Sequence, residues 1–370
     1  MTIYLVKRLL AIIPTLLGIT LISFLIIRLA PGNPISLKIQ AAEGIKAEAA
    51  SPEIIEKMQK LYGLKIELPA AYERQIHRLS LAVHGSDDPA HPTLTRRSLS
   101  FLGQSGIQYW LWLKRIASLN FGESFKDHRP VIEKIREALP ITLALNLIEI
   151  VIVYFISIPL GVFSALNRES SVDKAVMVVL FILYSLPTFW VATLLIKYFA
   201  GGDYLNWFPL FGIMTDGAEH YPFFMKLGNV LWHLVLPVTA MVYGSFAFLT
   251  RFSRSTMLEV VKQDYVRTAM AKGLPKRKVV WHHAFRNQLI PLITLLGTLL
   301  PALLGGSVII EQIFSIPGMG KLAFESVLAR DYPTIMAIAT ISAVLTLVSL
   351  LLSDLAYVWA DPRISFESRG

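Results

Sequence analysis

Six uncharged apolar runs, at 9–27, 150–167, 175–196, 227–250, 289–310 and 334–353, set the terms on which this sequence folds. Each approaches the roughly 20 residues an α-helix needs to cross about 30 Å of hydrocarbon. Lipid offers backbone groups no partner, so runs of this kind are satisfied as helices. The second run extends back toward Pro140 and carries one acid, Glu149. The expected fold class is therefore an all-α polytopic membrane protein with six transmembrane helices. Composition agrees: 54% of residues are hydrophobic, 16% are charged and the mean hydropathy is +0.55. Lys7 and Arg8 ahead of the first run resemble the start of a secretory signal, but no small-residue cleavage site follows, which reads as an uncleaved first span.

Lys and Arg in the short loops set the expected orientation. With a cytoplasmic N-terminus, the cytoplasmic segments hold fifteen of them, nine between Arg251 and Gln288, against four in 197–226 and 311–333. Both termini are then cytoplasmic, and the net charge of +9 is mostly a topology signal and not a nucleic-acid footprint. The domains expected are an N-terminal span in 1–30, an extracytoplasmic region in 31–137, a five-helix core in 138–353 holding a cytoplasmic loop at 251–288, and a cytoplasmic tail in 354–370. In the long first region, Ser51-Pro52-Glu53 opens a helix that stops at Gly63, and an amphipathic helix covers 108–119. The stretch 84–106, rich in Ser, Gly, Pro, Asp and His, reads as a mobile insertion.

The basic stretch RFSRSTMLEVVKQDYVRTAMAKGLPKRKVVWHHAFRNQLIP (251–291) contains two helix-forming segments meeting at Ala271-Lys272-Gly273-Leu274-Pro275. Gly can end the first and Pro can open the second. Taken alone it is either a docking surface or a solvated loop obeying the positive-inside rule. Gly318-Met319-Gly320-Lys321 lacks the spacing and the Ser or Thr of a phosphate loop, so no nucleotide site is expected in this chain. Without cysteine there is no thiolate metal site or thiol nucleophile, and no HExxH or GxSxG is present.

Charged groups within apolar runs need a reason. Glu149 either contacts a transported solute or pairs with a neighbouring helix. Glu311 contributes to a gate, binds a substrate amine, or is a helix-end acid reaching water. His233 reads as a satisfied tautomer more than as a proton relay. Pro14, Pro159, Pro187, Pro237 and Pro301 are kinks or ordinary membrane-helix prolines.

Several segments, in order along the chain, carry a resemblance: LVKRLLAIIPTLLGITLISFLIIRLAPGNP (5–34), FGES (121–124), LPITL (139–143), DYVRTAMAKGLPKRKVVWHHAFRNQLIPL (264–292), IIEQIFSIPGMGKLAFESVLARDYP (309–333) and DPRI (361–364). Together they resemble the peptide-permease branch of ABC importers, in particular the B-type component of oligopeptide and dipeptide systems. FAGGDYLNWFPLFGI (199–213) and DPRISFE (361–367) are similar to Yej-type peptide and microcin C permeases.

The resemblance implies a type I importer, MetI-like fold and a non-catalytic subunit forming the path for oligopeptides, with nickel chelates or oligosaccharides as alternative cargo. It implies no cofactor on this chain, with ATP and Mg used by partner subunits. The implied partners are a second homologous permease, two ATP-binding subunits, an extracytoplasmic solute-binding protein and membrane lipid, in a bacterial inner membrane. It marks Asp264, Tyr265, Arg267, Thr268, Ala269, Ala271, Lys272 and Gly273 as the helix that couples to an ATPase. Tyr265 would be an apolar anchor, Arg267 and Lys272 would pair with acidic walls, and Ala269 and Ala271 would permit close approach. The different-class alternative is an ion-coupled secondary transporter, which needs more intramembrane acids than Glu149 and commonly an internal repeat.

Overall fold

The computed structural model describes residues 2–29, 70–84, 94–202, 204–299 and 307–360. The helices are α1 (Thr2–Leu29), α2 (Ala70–His84), α3 (Leu94–Ala117), α4 (Val131–Leu166), α5 (Ser171–Ser185), α6 (Thr188–Phe199), α7 (Phe223–Val261), α8 (Asp264–Ala271), α9 (Phe285–Leu299), α10 (Val308–Ile313), α11 (Met319–Leu328) and α12 (Tyr332–Ala360). A helical turn (Lys276–Lys278) and a π-helical turn (Val279–Ala284) lead into α9. The chain divides into two compact units, one formed by 133–328 with 1–16 and 338–370, the other by 17–132 with 329–337.

Among the described residues, three helices are long and apolar enough to cross a membrane: Val131–Leu166, Phe223–Val261 and Tyr332–Ser353. The third apolar run differs from a simple span. It is broken into α5 and α6, which meet at 94°. Pro187 is the cause, since it cannot continue a helix hydrogen-bond ladder and it drives Leu186 into an extended conformation (φ −83°, ψ 130°). The second run also begins earlier than Pro140. Val131, Lys134, Ile135 and Ala138 are buried at helical spacing, an amphipathic lead-in that carries the helix through the proline. The fifth run lies partly outside the described residues, as do Pro301, the 51–63 helix and the DPRI segment.

In the larger unit α7 is the spine. Three apolar clusters follow one another along it. Leu236 and Ala240 pack with Leu145 of α4, Ala192 of α6, and Ile310 and Phe314 at α10. Leu249 packs with Val153 of α4 and Leu292 of α9. Met257 packs with Val162 and Ala165 of α4 and with Val266 and Ala269 of α8. Small residues bring α4 and α7 close, as is usual where helices pack in lipid. A Cβ on Gly161 would lie 2.6 Å from Ser253 Cβ. Ser253 Oγ donates to Ile158 O at 3.2 Å, and Gln288 Nε2 of α9 donates to Ser253 O at 2.7 Å. Large apolar side chains face outward on α4 and α5, with Phe155 81% and Phe181 66% exposed, as expected of lipid-facing positions.

In the smaller unit α2 packs on α3, and Gly103 is required where the Tyr72 ring crosses, since a Cβ there would meet Tyr72 Cε1 at 2.2 Å. Phe24 of α1 lies against the rings of Tyr109 and Trp112, with centroids 5.5 and 6.5 Å apart. The expected 108–119 helix is thus part of a longer one that ends at Ala117, and 94–106 is helix where a mobile insertion was expected. Residues 85–93 of that stretch lie outside the described residues. Asp331 ties the FGES turn to the start of α12. It is fully buried and accepts from Ser124 Oγ at 2.5 Å, Phe125 N at 2.7 Å and Thr334 Oγ1 at 2.6 Å.

Candidate functional site

The helix α8 is short because both ends are set locally. Gln263 is extended at its N-terminus (φ −69°, ψ 148°), and Gly273 takes a left-handed φ of 77° just past its last turn. Gly273 N donates to Met270 O at 3.0 Å, which satisfies a carbonyl left over at the helix end. No atom lies within 4 Å of a Cβ at Gly273, so its backbone angle and not crowding demands glycine there.

Two faces result. Val266 and Ala269 are buried against Met257, Val162 and Ala165, and they seat the helix on its own chain. Asp264, Arg267, Thr268, Ala271 and Lys272 are exposed together on the opposite side, with Tyr265 at the edge, 40% exposed. This corrects one expectation. Ala269, expected to permit close approach, is instead buried in the seat, whereas Ala271 is exposed. Arg267 reaches Asp264 only at 3.9 Å, and both side chains are well exposed, a pairing that contributes little and leaves the guanidinium available. Thr268 Oγ1 is turned back onto Asp264 O at 2.8 Å.

Behind α8 the chain returns through the π-helical turn, whose Trp281 ring meets that of Phe285, the first residue of α9, edge to face at 5.1 Å. Between α8 and this turn lies a cavity of about 460 Å³, lined by Leu166, Val261, Val266 and Met270 with Lys276 and Arg277. Turns of this wide type recur at functional sites in helices.

The two acids lie elsewhere and have separate partners. Glu149 accepts from Ser245 Oγ of α7 at 2.7 Å, a contact between neighbouring helices. Glu311 is 1% exposed and so is not a helix-end acid reaching water. Its Oε1 accepts from Thr142 Oγ1 of α4 at 2.8 Å and its Oε2 from Lys321 N at 2.8 Å, while Thr142 Oγ1 accepts from Met319 N at 2.8 Å. Gly318 and Gly320 close over it, and a Cβ on Gly318 would lie 2.5 Å from Glu311 Cδ. The carboxylate therefore shapes the turn between α10 and α11. His233 Nδ1 pairs with Asn229 O at 2.9 Å within its own helix.

Sequence reasoning missed two buried carboxylates, Asp331 described above and Asp173, which is 3% exposed and held by Arg254. One local signal pointed to it: Ser170 and Asp173 stand at the spacing of a helix N-cap pair, and Ser170 Oγ does accept from Asp173 N at 3.1 Å.

Residues 157–366 match the family model described as binding-protein-dependent transport system inner membrane component. The chain is 37% identical over 367 residues to the oligopeptide transport system permease protein AppB of Bacillus subtilis, covering 99% of this chain and 100% of that one. It is 36% identical over 383 residues to the peptidoglycan transport system permease protein YejB of Agrobacterium fabrum, covering 99% of each. A solved structure of the MetNI methionine ABC transporter in inward-facing conformations matches 62% of this chain and 97% of its own at 14% identity, with a TM-score of 0.46. On the family match and these full-length relatives, the chain belongs to the inner membrane permease components of binding-protein-dependent ABC transport systems.

Proposed function

We propose that this permease carries oligopeptides inward and that α8 is the element through which separate ATPase subunits drive it. The observation that carries the reading is the division of α8 into a buried seat, Val266 and Ala269, and an exposed charged face centred on Arg267 and Thr268. A helix seated on the ends of α4 and α7 passes a push on its outer face to both. Full-length similarity to oligopeptide and peptidoglycan permeases supports peptides as the cargo.

In this reading both termini and the 251–288 loop are cytoplasmic and 31–137 is extracytoplasmic. A binding protein delivers peptide to the outer side. The chain pairs with a second, related permease to enclose the path, and ATP with Mg is bound by the two ATPase subunits. Closure of those subunits on ATP favours an outward-open state, and hydrolysis returns the inward-open one. To move the population from 1:99 to 99:1, ATP must favour one state by about 5.5 kcal/mol. Glu149 and Glu311 act in this scheme by holding helices and the α10–α11 turn in place along the pathway.

The test uses the complex recovered from native membranes through a tag on this chain. Arg267→Glu reverses the exposed charge. Gly273→Pro imposes a φ near −65° where the chain needs 77° and removes the donor to Met270 O. Both variants are expected to reach the membrane at normal levels but to lose the ATPase subunits and peptide uptake. Retention of the ATPase subunits with peptide-stimulated hydrolysis in both variants would overturn the assignment of α8.

A further inference from the structure

We propose that the Arg254–Asp173 pair is a positioning joint that makes α5, and the bend that ends it, move as one body with α8. The proposal rests on the reading of α8 given above. Asp173 lies in the first turn of α5 and both of its oxygens are fully used. Arg254 of α7 donates Nε to Oδ1 and Nη2 to Oδ2, each at 2.8 Å. Ser164, near the end of α4, also donates to Oδ1, and Glu169 N donates to Oδ2 at 3.0 Å. Four donors from three parts of the fold, the end of α4, the turn after it and α7, therefore converge on one buried carboxylate. A two-pronged guanidinium contact fixes orientation as well as distance, which a single hydrogen bond does not.

The far end of α5 is held by the same helix. Tyr243 of α7 donates its hydroxyl to Leu186 O at 2.8 Å, at the bend made by Pro187. Thus α7 grips α5 at its first turn and at the Leu186 carbonyl just past its end. One turn beyond Arg254, Met257 is fully buried against Val266 and Ala269 of α8. The path from α8 to the broken span then runs through packed side chains and one ion pair, without a flexible loop. Of its links, only the Arg254–Asp173 contact is charged, and an exchange of one atom in Asp173→Asn weakens it without changing side-chain size.

The chain contains no cysteine, so labels can be placed on it singly. Ile182 of α5 and Met270 of α8, which lies outside the proposed ATPase face, are both exposed, and spin labels on Ile182→Cys and Met270→Cys report the distance between the two helices. In the tagged complex the expected result is one narrow distance that is the same without nucleotide, with ATP, and with ATP and vanadate. In Asp173→Asn, and to a smaller degree in Arg254→Lys, the distribution is expected to broaden and to shift between nucleotide states. A wild-type distance that itself changes with nucleotide would overturn the proposal, as would variants that stay as narrow and constant as wild type. Failure of both variants to yield any assembled complex would also overturn it, because the pair would then be a folding requirement only. The reading of α8 as the ATPase contact fails separately, by retention of the ATPase subunits on Arg267→Glu.

Discussion

Two glycine-containing turns of this chain use their charged groups in opposite ways. Gly273 ends α8 with a left-handed backbone and open space around it, whereas Gly318 lies where a side chain would collide with Glu311 and Thr142. Around Gly273 the charges are exposed and loosely paired. Around Gly318 the Glu311 carboxyl is buried and fully engaged by hydroxyl and backbone donors. The first arrangement leaves ionic groups free to be matched by another molecule. The second spends them on holding its own shape. Both segments follow long apolar stretches and both are rich in Gly, Pro and Lys, yet only one presents a face.

The contrast can be broken at each glycine. The larger effect is expected at Gly318→Ala, where Cβ would lie 2.5 Å from Glu311 Cδ and 2.6 Å from Thr142 Oγ1. Overpacking of this kind costs about 1–3 kcal/mol, and here it also displaces buried hydrogen bonds. Thermal unfolding of the tagged complex followed by tryptophan fluorescence should show a clearly lowered Tm, with the ATPase subunits still attached. A smaller effect, about 1 kcal/mol, is expected at Gly273→Ala, since alanine tolerates the left-handed region poorly but meets no atom there. Its signature should be weaker ATPase attachment with a nearly unchanged Tm. Equal melting losses at the two sites would remove the distinction.

What was legible in the sequence was what is local. A run of some twenty uncharged apolar residues states its own conformation, and α4, α7 and α12 follow from it. Pro187 was visible as a kink, but the 94° turn depends also on Tyr243, 57 residues away, holding the carbonyl of Leu186. Ser, Gly and Asp in 84–106 suggested mobility, and that reading failed at 94–106 because Gly103 serves the contact with Tyr72. The acids were the least legible. Thr142 and Glu311 are 169 residues apart, and Ser124 and Asp331 are 207 apart. An acid in an apolar stretch could therefore be read either as a pathway group or as a helix contact, because its partners lay beyond any local pattern. The face of α8 was half legible: its composition indicated a surface, but only the packing of Ala269 on Met257 separated seat from face.

The central claim is that the outer face of α8, and not its seat, meets an ATPase subunit. Single cysteines at Thr268, Ala271 or Lys272, in a chain that otherwise has none, place a cross-linkable group on that face, and Ala269→Cys places one in the seat. Photocross-linking of the assembled complex through a short maleimide reagent should join this chain to an ATPase subunit from positions 268, 271 and 272 and not from 269. An assembled complex in which none of the three exposed positions cross-links to an ATPase subunit would contradict the account.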